Sequence, residues 1–225
     1  MDVVGVMKDS YRVAQAVVRV MADSTKTHEI HRVEEITGRP RYRALLAALH
    51  GSSEGQRLLM QRPELSSAQV DFAALRALPG DTLGGAYARH LDGNSITADY
   101  QAAATRHVDD PDVAYLMRRF RQTHDIWHVL LGLGIAGHEE VIVHAFSFGQ
   151  LRLPVSAMIM LFGSLKHIVL ERRWGALRHS MREAYQAGRD AAPLLGVVWE
   201  DHWHEPIDLV RARYRVRPLE RRWLD

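Results

Sequence analysis

The side chains best placed to do chemistry begin with His124, Asp125 and His128. On a helix of 3.6 residues per turn the two histidines project about 40° from each other. Asp125 lies about 100° from His124 and about 60° from His128, so all three share one sector. That sector continues the apolar stripe of Met117, Phe120 and Leu131, which such a helix turns toward the core. Leaving a buried polar group unpaired costs about 1–3 kcal/mol, so two adjacent imidazoles on this face need partners. A metal ion would supply one. A plainer explanation competes with it: buried histidines are commonly hydrogen-bonded core residues, and i, i+4 pairs arise by chance among thirteen histidines. On spacing alone the two readings are evenly matched. The zincin pattern is not completed, because His138-Glu139 is followed by Ile142 where a second histidine would be required.

Glu140 shifts the balance. On one continuous helix it would lie about 24 Å beyond His124, out of reach. Gly132, Gly134 and Gly137 permit a chain reversal that returns the next helix alongside the first. Glu140 can then face the pair as a third ligand. Two imidazoles with one or two carboxylates form an N/O site suited to zinc or iron(II), with coordination positions left open for substrate. His144, one turn beyond Glu140, could add a further ligand.

The elements that must position these residues read as helices throughout. Asp110 is a good N-cap, Pro111 fits the first helical position and Asp112 complements the positive helix end. Val113, Met117, Phe120, Trp127 and Leu131 form the stripe of the helix that follows. A second helix is predicted to begin near His138, and Pro154 opens a third. Upstream, helices are predicted over Val3 to Ala22 and Arg41 to His50, with Gly51 closing the latter. Ser66 or Ser67 would cap Ala68 to Leu78, stopped by Pro79-Gly80, and Thr82 would cap a short helix through Tyr87 and Leu91. Glu171 to Arg215 again reads as helical. No repeat, low-complexity stretch or linker divides the chain, so residues 1–225 are expected to form a single all-α domain: an orthogonal helical bundle with an internal metal site.

Composition narrows the function. The 29 basic and 27 acidic residues nearly cancel, and no like-charge block forms a nucleic-acid footprint. Cysteine is absent, which excludes disulfides, thiolate metal sites and cysteine nucleophiles. The N-terminus has neither a signal-peptide nor a transit-peptide layout. The apolar run from Leu151 to Leu170 is interrupted by Arg152, Lys166 and His167, and it reads as a core helix rather than a membrane span. A protein that is cytoplasmic, or peripheral to the inner face of a bacterial membrane, is expected.

His124-Asp125-Ile126-Trp127-His128, then eleven residues, then Glu140 resembles the signature of the fourth coenzyme Q (ubiquinone) biosynthesis protein family. Leu83-Gly84 with Tyr87 and the run Thr105 to Asp110 are similar to upstream family elements. Gln150, Pro154, Tyr185…Gly188, Ala192-Pro193 and Trp199-Glu200 are similar to downstream ones. The likeness is strongest over residues 83–209. It implies an all-helical fold and one divalent metal, zinc foremost, with iron, cobalt, manganese or magnesium as alternatives. His124, His128 and Glu140 would be ligands, and Asp125 a ligand or a partner that fixes a histidine tautomer.

The resemblance further implies ubiquinone biosynthesis by oxidative removal of the C1 carboxyl of a polyprenylated hydroxybenzoate, leaving a hydroxyl. With no flavin or iron–sulfur signature, the electron acceptor would be oxygen or an external one. The alternative is a non-catalytic prenyl-lipid-binding scaffold that organises the other quinone-biosynthetic enzymes. Partners would be a polyprenylated benzoquinone precursor or another isoprenoid lipid, other quinone-biosynthesis enzymes, the membrane surface and a second copy in a homodimer. Val155 to Leu170 could line a prenyl-tail tunnel, although on sequence alone an ordinary core helix is favoured. Arg152, Arg172 and Arg173 could meet phosphate or lipid headgroups or simply form a solvated face. Trp199, Trp203 and Trp223 are expected to pack, and His202 and His204 to lie at the surface. A His-Asp phosphohydrolase is the weakest alternative, since it needs a further upstream histidine and a distant aspartate that cannot be assigned here.

Overall fold

Asp110, Pro111 and Gly132 bound the helix around which the chain is arranged. Asp110 accepts from the backbone N–H groups of Asp112 and Val113 at 3.0 and 3.2 Å, Pro111 is the first helical residue, and Gly132 closes the helix at φ 72°. In a computed structural model, residues 3–22, 27–99, 105–171 and 174–219 are described. Among them lie α1 (Val3–Ala22), α2 (Thr27–His50), α3 (Ser53–Gln61), α4 (Phe72–Ala77), α5 (Leu83–Gly93), α6 (Pro111–Leu131), α7 (Gly137–Leu151), α8 (Pro154–Glu171), α9 (Trp174–Asp190) and α10 (Ile207–Tyr214), with a 3₁₀ turn at Trp199–His202. The described residues contain no strand. One hydrophobic cluster runs from Tyr42 on α2 to Val216 beyond α10.

α6 is buried along nearly its whole length, so its polar residues need partners from other elements. Arg121 donates to Glu34 at 2.7 Å and Glu35 at 3.0 Å on α2, and all three are buried. Tyr42 donates to the same Glu34 at 2.5 Å, while Glu35 accepts the backbone N–H groups of Arg106 and His107. Arg119, fully buried, makes a bidentate pair with Glu200 at 2.7 and 2.8 Å and also reaches the carbonyl of Val197. At the C-terminal end, Arg211 donates to the carbonyls of Val129 and Leu130, and the backbone N–H of Leu219 donates to Leu131. These contacts fix both the rotation and the depth of α6, and therefore where its histidines point.

Two close approaches hold the neighbouring helices. A Cβ at Gly188 of α9 would lie 2.2 Å from the Phe146 carbonyl oxygen, and one at Gly149 of α7 would lie 2.4 Å from that of Tyr185. Only glycine lets these two helices meet backbone to backbone. Gln150 then bridges the end of α9, donating to Gly188 and accepting from the backbone N–H of Leu194. α5 starts under the C-terminal segment: Leu83 and Gly84 donate to the carbonyls of Glu205 and Trp203, and Tyr87 stacks on Trp203 with ring centroids 5.6 Å apart.

The structure corrects several expectations. The helix predicted from Arg41 begins at Thr27 and passes through Pro40. Proline lacks the N–H that would reach the Ile36 carbonyl, and Arg39 Nε donates to that oxygen instead, at 3.3 Å. The helix predicted over Ala68 to Leu78 is shorter, at Phe72–Ala77, and is capped by Asp71. Residues 66–70 form a turn instead, with the backbone N–H of Ser67 drawn to Asp99. α3, capped by Ser52, was not foreseen. Glu171 to Arg215 is not continuously helical, because residues 191–198 and the 3₁₀ turn separate α9 from α10.

α8 is not an ordinary core helix. Met158, Ile159 and Met160 are only half-buried, and Leu161 and Leu165 are 66% and 48% exposed. Arg152 ends α7 in the left-handed region and lies over the rings of Phe148 and Tyr185. Trp199 and Trp203 are buried as expected. His204 is exposed, but His202 is largely covered, held by Glu205 at 2.7 Å and by Tyr214 at 2.9 Å. Arg172, Arg173 and Trp223 lie outside the described residues.

Candidate metal centre

The reversal between α6 and α7 positions the site. Gly132 takes the left-handed conformation, and a Cβ on Gly134 would fall 2.6 Å from Glu139 Oε2, so both positions favour glycine for physical reasons. Glu139 accepts the backbone N–H groups of Gly134 at 2.9 Å and Ala136 at 3.1 Å, pinning the turn to the start of α7. The Gly134 carbonyl oxygen, in turn, lies 2.8 Å from His128 Nδ1. A carbonyl only accepts, so Nδ1 carries a proton and, in the neutral ring that a metal requires, Nε2 keeps the lone pair.

Glu140 comes back onto the pair as the spacing requires. Among the described residues, one ligand atom each from His124, His128 and Glu140 lie within 4.8 Å of one another. His128 Nε2 is 3.5 Å from Glu140 Oε1. Two donors bound to one zinc ion at ordinary lengths and a tetrahedral angle would be about 3.4 Å apart. The His124 and His128 rings are 4.8 Å between centroids, close to the spacing of about 5 Å that two imidazoles on one ion adopt. His124 Nε2 and His128 Nε2 are both buried without a hydrogen-bond partner among the described residues. Two buried imidazole nitrogens without hydrogen-bond partners, beside a carboxylate, are what a bound cation would satisfy, so this donor set fits a divalent metal.

The site is closed on one side and open on the other. The His128 side chain is fully buried, while that of Glu140 is 36% exposed. Burial, followed by the neighbouring His128 and His144, pushes His124 well below the usual histidine range, so it is neutral. At Glu140 burial works upward, but His128 foremost, with His124 and His90, outweighs it and holds the carboxyl below its ordinary value. The reverse holds for His128, where burial works downward and the Glu140 carboxylate raises the group overall.

Asp125 is buried next to this group but is not one of the three that converge. Burial, partly offset by His128, raises its pKa to about 6. Two further histidines complete the surroundings. His144 lies with its ring 4.9 Å from that of His124 and its Nδ1 3.3 Å from Ser156 Oγ. His90, from α5, has its ring 5.6 Å from that of His128. Burial lowers these two histidines to about 3 and about 4 respectively. Sequence reasoning missed His90, because nothing local marks a histidine on a different helix. Tyr87 on the same helix also presents a buried hydroxyl without a hydrogen-bond partner among the described residues.

Comparison with known proteins gives the family. The family model described as coenzyme Q (ubiquinone) biosynthesis protein Coq4 matches residues 5–220. The mitochondrial ubiquinone biosynthesis protein COQ4 homolog of Drosophila pseudoobscura pseudoobscura is 32% identical over 187 residues, covering 83% of this chain and 69% of the relative. The mitochondrial ubiquinone biosynthesis protein COQ4 of Coprinopsis cinerea is 29% identical over 203 residues, covering 90% of this chain and 69% of the relative. The crystal structure of a Nostoc punctiforme protein, titled as a ubiquinone biosynthesis protein, superposes with a TM-score of 0.72 at 22% identity, covering 91% of this chain and 97% of that one, which shows the shared fold. With the family match spanning nearly the whole chain, the protein belongs to the coenzyme Q (ubiquinone) biosynthesis protein Coq4 family.

Proposed function

We propose that this chain is a metal-dependent enzyme of ubiquinone biosynthesis that removes the C1 carboxyl of a polyprenylated hydroxybenzoate oxidatively and leaves a hydroxyl in its place. The carboxyl would leave as carbon dioxide, water or dioxygen would supply the hydroxyl oxygen, and dioxygen or an external acceptor would take the two electrons. The observation that carries the reading is that the Nε2 atoms of His124 and His128, buried and without hydrogen-bond partners among the described residues, converge with the partly exposed Glu140 carboxylate. These three residues would hold one divalent cation, zinc first by donor set, with iron, cobalt, manganese and magnesium as alternatives. When bound, such an ion binds a carboxylate or phenolate and polarises the ring to which it is attached.

The chain's own residues then have distinct tasks. Gly134 holds His128 in the tautomer that presents Nε2, and burial keeps His124 neutral. Glu140 places negative charge at the open edge, where substrate enters. Asp125, buried on α6 beside the two histidines, would fix a histidine tautomer or take up a phenolic proton.

The exposed apolar residues of α8, Leu161 and Leu165 with Met158 to Met160 alongside, support contact with a prenyl tail and with the membrane that carries it, and so a peripheral membrane location. No helix among the described residues is long and apolar enough to cross a membrane. The same apolar face favours the second reading, a prenyl-lipid-binding scaffold for other quinone-biosynthetic enzymes whose metal is structural, and it leaves room for a homodimer. Turnover of a prenylated hydroxybenzoate by the wild type, His128→Ala and Glu140→Ala separates the two. The enzyme reading expects turnover in the wild type and its loss in both variants while the fold is retained. Turnover undiminished in the variants would end it. The scaffold reading expects no turnover in any form and weakened folding or partner binding in the variants.

A further inference from the structure

His90 stands outside the converging group of His124, His128 and Glu140, yet its ring packs against that of His128 with centroids 5.6 Å apart and planes tilted by 33°. A ring at this distance could be a fourth ligand or a neighbour, and its hydrogen bonding distinguishes the two. One turn along α5, the side-chain amide nitrogen of Asn94 donates to the His90 carbonyl at 2.7 Å and lies 3.5 Å from His90 Nδ1. Reversing that amide would set oxygen against oxygen, so the shorter bond fixes which atom is nitrogen. An amide NH₂ group only donates. Nδ1 is therefore the acceptor, and the ring proton sits on Nε2. That Nε2–H is buried and has no hydrogen-bond partner among the described residues.

A protonated nitrogen cannot bind a metal ion, and a buried donor without an acceptor is costly. The nearby acceptors are already engaged. Glu140 is turned toward the His124–His128 pair, where the cation would sit, and Glu139 is held by Gly134 and Ala136. His144, on the opposite flank, gives no comparable answer, because Ser156 can either donate to it or accept from it.

We propose that His90 is a substrate-binding residue that donates its Nε2–H to an anionic oxygen, carboxylate or phenolate, of the molecule occupying the open side of the His124–His128–Glu140 centre. This rests on the reading that the three residues hold a cation with an open position. His90 thereby ties α5 to the reacting end of the substrate, while α6 and α7 supply the ion's ligands.

The test uses the full chain loaded with cobalt(II), whose visible absorption reports on its ligands. Wild type, His90→Phe and His90→Gln are compared for cobalt affinity by chelator competition and for 4-hydroxybenzoate affinity by absorption titration. A hydrogen bond to a charged acceptor predicts 4-hydroxybenzoate affinity reduced roughly tenfold to a hundredfold in His90→Phe, with cobalt affinity unchanged. Glutamine keeps a neutral N–H donor and should restore most of the lost affinity. Equal 4-hydroxybenzoate affinity in wild type and His90→Phe would overturn the assignment. So would a loss of cobalt affinity in both variants, which would make His90 a ligand, or a wild-type spectrum that 4-hydroxybenzoate does not perturb. If the wild type bound no cobalt, the metal-centre reading would fall as well, whereas cobalt binding with indistinguishable variants removes only the role of His90.

Discussion

Replacing Glu139 with alanine should weaken metal binding although Glu139 is not one of the three converging residues. Its buried carboxylate accepts the N–H groups of Gly134 and Ala136 at 2.9 and 3.1 Å, and the Gly134 carbonyl accepts the Nδ1–H of His128 at 2.8 Å. Removing the carboxylate frees two backbone donors from charge-assisted bonds worth about 1.5–3 kcal/mol each. Water can reach part of this turn, since Ala136 and Gly137 are exposed, so the net loss should be about 2–4 kcal/mol. The turn then no longer fixes the His128 tautomer and ring angle, and loss of such a supporting contact lowers metal affinity roughly 10- to 100-fold. Urea unfolding of the metal-free protein measures the first effect, and zinc competition with a chromophoric chelator measures the second. Glu139→Gln, which keeps one acceptor oxygen, should fall between wild type and alanine in both. A variant that lost stability but bound zinc as tightly as wild type would refute the chain of contacts from Glu139 through Gly134 to His128.

Three further predictions follow from the same contacts. Arg121→Met removes the cation that neutralises the buried carboxylates of Glu34 and Glu35, leaving them their bonds from Tyr42, Arg106 and His107, and should cost about 3–5 kcal/mol in urea unfolding; a loss below about 1 kcal/mol would mean that this network does not hold α6 against α2. Gly188→Ala drives a methyl group into the Phe146 carbonyl, which should destabilise by about 1–3 kcal/mol and lower the melting temperature, whereas an unchanged melting temperature would show that α7 and α9 separate freely. The metal-free protein should lose stability on acidification. Burial first, then nearby charges, lowers His31 to about 3, His90 to about 4 and His144 to about 3 in the folded state, against about 6.5 unfolded. A depressed folded value means stability is present above the unfolded pKa and is lost as pH falls below it. By pH 5 each should cost about 1–2 kcal/mol, and melting curves in EDTA that do not move between pH 7.5 and pH 5 would contradict this.

The sequence was most legible where the determinants are local. Asp110, Pro111 and Gly132 mark α6 by capping chemistry alone, and the four-residue spacing of His124 and His128 needs only helical geometry. Glu140 was readable as far as the glycines permit a reversal. That the turn is pinned by Glu139 depends on a side chain reaching back five residues to Gly134. Side-chain hydrogen bonds decided two points that the sequence did not reveal. Arg39 satisfies the carbonyl that Pro40 leaves open and so carries α2 through a residue that normally ends a helix, and Asp71, not Ser66 or Ser67, caps the helix that was expected to start at Ala68. The apolar composition of α8 suggested a core helix because composition does not reveal which side faces solvent. His90 was invisible because its meaning depends entirely on α5 packing against α6. The family resemblance supplied the chemistry, which spacing alone could not do.

The most direct test of the metal centre is the metal content of the full chain, purified without chelator and measured by mass spectrometry beside Glu140→Ala. Near-stoichiometric divalent metal in the wild type, lost in the variant while its far-UV circular dichroism is retained, is the predicted result. A wild type without metal, or a variant that holds as much as the wild type, would contradict it.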